Sequence, residues 1–207
     1  MRRDLRLLAL ATVGALALAP GCTDSSSPDQ PSIKPPAELK IIKLPPTHDP
    51  LFNPSVSFYA KKGVDSEVKI WFEDSQGQPG EEYLVFKVKQ NSLLALPDGT
   101  PIPIGDSVLI TITADPDSVL FTFEPKGLEF DPSDPAKLKI EYAEVGDDFD
   151  EDGIGGDPED QVIEDSLSIW RQPDLGEDFV RLESVKLEDF DEIEAEVVGF
   201  SRFALAY

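Results

Sequence analysis

The chain has very little of what most enzymes and nucleic-acid binders need. In 207 residues there is one Cys (Cys22), one His (His48) and one Met, the first residue. His48 lies in the Pro-rich string Lys43-Leu-Pro-Pro-Thr-His-Asp-Pro50, where no imidazole base could be held rigidly. Ser/His and Cys/His nucleophile pairs and His-based zinc sites are therefore excluded from the folded part. Positive charge is scarce as well, with 18 basic against 41 acidic side chains and a formal net charge of −23. A surface of that sign cannot release counterions from phosphate, so nucleic acid is excluded as a partner. Docking on anionic lipid through a basic patch is excluded for the same reason. Long apolar runs are missing too. The longest, residues 7–18, is about a dozen residues, too short to cross ~30 Å of hydrocarbon as a helix.

What is present begins with an address. Arg2, Arg3 and Arg6 precede the apolar run, and the small-residue string Ala19-Pro20-Gly21-Cys22 follows it. This layout resembles a bacterial lipoprotein signal, with cleavage before Cys22 and diacylglycerol on its sulfur. Ala19 and Pro20 depart mildly from the family pattern, which prefers Leu and then a small residue. The alternative is an ordinary signal peptide followed by an unrelated Cys. Cys22 is the sole thiol, so no intramolecular disulfide competes for it. The resemblance implies a signal peptide over residues 1–21 and a protein held in a bacterial cell envelope by acylated Cys22. Thr23, in place of Asp after the Cys, implies the outer membrane. Residues 22–50, rich in Pro and Ser, are expected to be a disordered tether between anchor and domain.

From about Ser55 onward the apolar pattern has period 2. Val68-Ile70-Phe72, Leu84-Phe86-Val88, Val108-Ile110-Ile112, Val119-Phe121-Phe123 and Leu138-Ile140-Tyr142 each mark one face of a strand. Leu167-Ile169, Ile193-Ala195-Val197 and Phe203-Leu205-Tyr207 complete the series. Turn strings such as Pro97-Asp98-Gly99 and Asp131-Pro132-Ser133 separate them. The expected fold is an all-β antiparallel sandwich over residues 51–207, without parallel crossovers. Residues 55–90 are too few for a core of their own and belong to that domain. Trp71 and Trp170 fall on the nominally outer faces of their strands. Exposed together they would make a sugar-stacking platform; covered, they would be ordinary packing.

Several strings in residues 93–207 look alike in order and spacing to one domain. They include Val108-Leu-Ile-Thr-Ile-Thr113, Phe123-Glu-Pro-Lys-Gly-Leu-Glu-Phe130, Ala136-Lys-Leu-Lys-Ile-Glu-Tyr142 and Gly199-Phe-Ser-Arg-Phe-Ala-Leu-Ala-Tyr207. They resemble the β-sandwich shared by ankyrins, netrin receptors and zonula-occludens proteins, with relatives in bacterial lipoproteins. The resemblance implies a protein-interaction module rather than a catalyst, although partners do not transfer across such a distance. Some members cut themselves at His-Phe-Ser. Here Gly199-Phe200-Ser201 keeps the Ser but has Gly where the proton-transferring His would be. The expectation is therefore no catalytic residues, with Gly199 easing a turn and Ser201 satisfying a backbone group.

The densest acidic run, Gly146-Asp-Asp-Phe-Asp-Glu-Asp-Gly-Ile-Gly-Gly-Asp-Pro-Glu-Asp160, has the spacing of a calcium loop. Asp148, Asp150, Asp152 and Gly153 fill positions 1, 3, 5 and 6; Ile154 would offer its carbonyl at 7 and Glu159 its carboxylate at 12. Asp157 and Asp160 are spare acceptors. Gly155 and Pro158 depart from the pattern, and no flanking helices are expected. The alternative is a solvated acidic hairpin, although carboxylates packed this densely repel one another unless something neutralises them. Two functional readings follow: a non-catalytic anchored interaction or scaffold module with a calcium-braced loop, or a calcium-dependent carbohydrate-binding module. The partner is accordingly an unknown protein or polysaccharide.

Overall fold

The computed structural model describes residues 32–187 and 190–207. In chain order the strands are β1 (Ile33–Lys34), β2 (Ser55–Lys61), β3 (Ser66–Glu73), β4 (Pro79–Val88), β5 (Leu93–Ala95), β6 (Ser107–Ala114) and β7 (Leu120–Glu124). They continue with β8 (Glu129–Phe130), β9 (Ala136–Glu141), β10 (Ser168–Gln172), β11 (Phe179–Arg181), β12 (Ser184–Leu187), β13 (Glu192–Val197) and β14 (Arg202–Ala206). A seven-stranded sheet runs β1-β11-β10-β14-β7-β6-β2, and a five-stranded sheet runs β12-β13-β9-β4-β3. β5 and β8 form a small two-stranded sheet, and the ladders between strands are antiparallel throughout.

The two-residue rhythm places the faces as expected. In β6, Val108, Ile110, Ile112 and Ala114 are buried, while Ser107, Leu109 and Thr113 are exposed. Side chains of alternate residues leave a pleated strand on opposite sides, so one face goes to the core and the other to water. The inner faces meet through aromatic rings: Phe86 of β4 lies 5.2 Å from Phe123 of β7, and Phe200 sits 5.3 Å and 5.1 Å from the two. Tilted and edge-on ring pairs at such distances add to the area they bury. One departure is local. Ile70 pairs with Leu84 but Trp71 pairs with Glu82, which leaves Tyr83 as an extra residue in β4. A bulge of this kind turns its side chain off the strand's rhythm. Tyr83 is fully buried between Phe72 (4.6 Å) and Phe121 (5.0 Å).

The largest correction concerns residues 32–50. They are not a tether but a strap built into the sandwich. Residues 41–43 wedge between the ends of β14 and β7, with Ile41 bridged to Ala206 and Lys43 to Ser118. Ile42 N–H donates to Leu205 O at 3.0 Å, and Ile42 O accepts from Val119 N at 2.9 Å. Ile42 and Leu44 join the main core, and Leu39 joins a second cluster with Leu120, Trp170, Phe179, Ala204 and Ala206 on the outer face of the seven-stranded sheet. The strap then crosses to the other sheet, where Leu51 bridges Phe72. Its prolines interrupt the ladder at intervals without preventing the apolar residues between them from being buried. The signal segment, Cys22 and residues 22–31 lie outside the described residues. Among the described residues, no helix is long and apolar enough to cross a membrane.

Candidate functional site

The acidic run lies between β9 and β10, after a single 3₁₀ turn at Ala143–Val145. Contrary to the sequence expectation, a helix does flank it: α1 (Pro158–Ser166) starts inside the run. The local signals for α1 are in the sequence. Asp157 is its N-cap and accepts from Glu159 N (2.9 Å) and Asp160 N (3.1 Å), with Pro at the first turn and acids beside the positive helix end. Asp160 completes a capping box and does more. Its Oδ1 accepts from Phe149 N (2.7 Å) and Asp150 N (3.1 Å), and its Oδ2 from Gly156 N (2.9 Å) and Asp157 N (3.4 Å). One buried carboxylate thus gathers both ends of the loop, while Phe149 inserts into the core.

The three aspartates at alternate positions come together on this frame. Asp148, Asp150 and Asp152 each offer a carboxylate oxygen, all within 4.8 Å of one another, a set that could hold a metal ion. Each also accepts a loop N–H: Asp148 from Gly153 (3.0 Å), Asp150 from Asp152 (3.0 Å) and Asp152 from Ile154 (2.8 Å). Asp148 Oδ1 is different, because it is buried and has no hydrogen-bond partner among the described residues. A buried carboxylate oxygen without a partner is costly, and a cation is the simplest group that would satisfy it.

Electrostatics separate the two key acids. At Asp150 the Asp152 N–H lowers the pKa, but desolvation and the charges of Asp152, Asp160 and Asp157 outweigh it, so the net direction is up. At Asp160 desolvation pushes up, but the N–H groups of Asp150, Phe149, Asp157 and Gly156 win and hold it below the ordinary carboxyl value. A cavity of about 380 Å³ separates the loop from the strap, lined by Ile41, Lys43, Asp148, Phe149, Asp150 and Tyr207 among others. Lys43 closes one side by pairing with Glu151 at 2.7 Å.

Of the residues expected to ligate, Asp148, Asp150 and Asp152 are brought together. Glu159 is not part of that set: it occupies the first turn of α1, and Pro158 begins the helix before the chain can wrap back to the twelfth position. Ile154 donates its N–H to Asp152 and leaves its side chain in solvent. Asp160, a spare acceptor by sequence, is the organiser of the loop; the Asp157-Pro158 cap with an acid three residues after it was the available signal.

No family model, no curated protein and no solved structure matches this chain. Trp170 is 3% exposed, lies under the strap with Lys34 Nζ 5.4 Å over its ring, and donates from Nε1 to Ala206 O at 3.1 Å. Trp71 is half-buried on the other sheet beneath Lys69 Nζ (5.1 Å), so the two indoles form no flat exposed pair. Ser201 is buried, and its Oγ accepts from Arg171 Nε at 3.2 Å rather than serving a backbone group. Gly199 leaves room for that guanidinium, since a Cβ there would stand 3.2 Å from an Arg171 nitrogen. His48 packs edge-on against Phe72 at 6.1 Å, with Nδ1 at 2.6 Å from Asp49 O.

Proposed function

We propose that this chain is a non-catalytic, lipid-anchored protein of a bacterial cell envelope, of the outer membrane, whose β-sandwich is a protein-interaction or scaffold module. Cys22 behind the Arg-led apolar segment is the observation that carries the anchored reading. The early start of the folded domain supports it, because a strap welded into both sheets hands any load from the anchor directly to the core. Multiple acyl chains on one Cys would supply the anchoring that a single chain cannot. The covered Trp170 favours an interaction surface over a sugar platform. The kinship with the ankyrin-type sandwich rests on the quoted strings and on the all-β fold.

We further propose that the cation of the acidic loop is calcium. Hard carboxylate oxygens at alternate positions suit it, and an extracytoplasmic site can work at affinities near ~0.1–1 mM. The ion would satisfy Asp148 Oδ1 and relieve the repulsion felt at Asp150. Metabolic labelling with tritiated palmitate tests the anchor. The wild type is expected to carry label into the membrane fraction and Cys22→Ser to carry none; equal behaviour of the two ends the lipoprotein reading.

A further inference from the structure

The geometry points to β2 as a docking edge for a second copy of this chain, with or without the anchor, the two β2 strands pairing antiparallel about a two-fold axis. β2 ends the seven-stranded sheet, and among the described residues β6 is its only ladder partner. Pro54 O accepts from Ala114 N (2.8 Å) and Lys62 N donates to Asp106 O (2.9 Å). Even-numbered residues of β2 therefore turn their backbone groups toward β6, and Ser55, Ser57 and Tyr59 turn theirs outward. Those outward N–H and C=O groups have no backbone partner among the described residues. All three residues are exposed, Tyr59 at 69%. The other edges are guarded. β3, joined to β2 by the turn at 62–65, is bulged and carries Glu67, Lys69 and Glu73. The strap also lies along it: Phe52 N donates to Trp71 O (2.9 Å) and Glu73 N to Pro50 O (2.7 Å), while the Asn53 side chain accepts from Trp71 N (3.0 Å) and donates to Lys69 O (3.2 Å). β1 is two residues long, and β12 is four residues long with Lys186 on it. β2 has seven residues, no proline and no register shift against β6. A long, flat, uncharged edge is a template for another strand.

The strand itself selects the occupant. In a chain with 29% charged residues and a net charge of −23, Lys61 is the only charged residue of β2 and β6 together. The acids nearest this seam within the same sheet, Asp106, Asp115 and Glu124, lie just beyond the ends of β6 or on β7, a strand or more in from the edge. A strand added here must turn apolar residues inward beside Val56 and Phe58, which are only partly buried, and uncharged residues outward. β2 is such a strand. A two-fold axis through Phe58 sets Phe58 against Phe58 of the second copy, Val56 against Ala60, Ser57 against Tyr59 and Ser55 against Lys61. Odd-numbered residues then fall opposite odd-numbered ones, so outward backbone groups meet outward backbone groups. The two Phe58 rings cover each other, and no like charges stand opposite. Each contact is made twice, as a two-fold interface requires. What opposes the pairing is the charge of the rest of each copy, acting at longer range, and salt screens it. Pairing should therefore tighten as salt rises. A cationic partner strand drawn in by the net charge would instead be released.

Sedimentation velocity on the full chain, from micromolar to millimolar concentration in low and high sodium chloride, measures the pairing. Hydrogen exchange on the same samples locates it. The expected result is a monomer–dimer equilibrium whose dissociation constant falls several-fold in high salt. The Ser57 and Tyr59 amides should slow as the dimer fills, while the Phe58 amide, bonded to β6, is slow throughout. Ser57→Pro removes one outward N–H without touching the β6 ladder and should abolish the dimer. Any association through the residues before 32 is common to both chains and cancels in that comparison. A chain that stays monomeric at every concentration, or a dimer with no added protection at Ser57 and Tyr59, overturns the proposal and leaves the edge to a strand of another protein. So does a dimer that Ser57→Pro, folded by circular dichroism, leaves intact. If that variant does not fold, the protection pattern decides.

Discussion

Two carboxylate-rich regions of this protein behave in opposite ways. On the outer face of the five-stranded sheet, glutamates and lysines interleave. Lys139 reaches Glu141 (2.7 Å), Glu192 (3.0 Å) and Glu82 (3.3 Å), Lys87 reaches Glu67 (3.2 Å), and Lys69 pairs with Glu82. In the loop between β9 and β10, Asp148, Asp150 and Asp152 have backbone N–H groups and one another. Desolvation raises Glu82 and Glu141 alike. At Glu82 the bonds to Lys69 and Lys139 outweigh it and the net direction is down, while Glu141 stays raised despite its bond to Lys139. Asp150, which has no lysine bond, is raised too. The difference teaches that acidity alone does not mark a site. What marks it is three carboxylates held together by the fold with no lysine or arginine bonded to them among the described residues.

Breaking the frame of the loop should have the largest effect. Asp160→Ala orphans the four N–H groups its carboxylate collects and removes the reciprocal half of the capping box of α1, so the melting temperature should fall by roughly 5–10 °C. Any response to calcium should vanish with it, as differential scanning fluorimetry would read. A response that survived would detach the cation from this loop.

Breaking the ladder should cost somewhat less. Lys139→Met leaves Glu82, Glu141 and Glu192 facing one another, and the melting temperature at pH 7 should drop by about 3–6 °C. Glu82 is held below its unfolded value, so its contribution is present above the ordinary carboxyl range and is lost as pH falls through the folded pKa. The deficit of the variant should therefore shrink by pH 4, as those glutamates take up protons. A deficit of the same size at both pH values would mean that packing of the lysine stem, not its charge, is what matters.

Neutralising the loop should be smaller again and opposite in sign. Calcium at ten times its dissociation constant should raise the melting temperature by about 3–5 °C, and a chelator should reverse it. Asp150→Asn should raise the metal-free protein by only about 1 °C and blunt that gain. The sign comes from Asp150 itself: with its folded pKa raised, its ionisation subtracts stability above that pKa, and the penalty disappears as pH falls toward the unfolded value. Carboxyl carbon shifts followed by NMR should accordingly titrate Asp150 above, and Asp160 below, the ordinary range. The reverse order would contradict the electrostatic comparison.

Much of the fold was legible in the sequence. The buried rows Val108-Ile110-Ile112, Leu138-Ile140 and Ile193-Ala195-Val197 lie on the faces their alternation indicates, because which side of a pleat a residue takes is local. Tyr83 broke the rhythm because a bulge depends on the partner strand. Three of the five metal candidates were legible as well, since alternate positions in a tight turn converge without outside help. The places of Glu159 and Asp160 were not legible. Their roles depend on whether the chain after Gly156 turns into a helix, and the competing calcium-loop spacing obscured a cap that was present in Asp157-Pro158.

By itself the sequence determined the class of the fold, the inward faces of its strands, the excess of carboxylates and the single thiol near its start. Those properties follow from residue type and from periodicities of two to a few residues. Only the tertiary structure decided that Leu39, Ile42 and Leu44 are buried, that Leu39 packs with Trp170, and that one oxygen of Asp148 is left buried without a partner among the described residues. Each of these depends on which distant segment packs against the other side. A segment rich in proline and polar residues carries no period that names its cover.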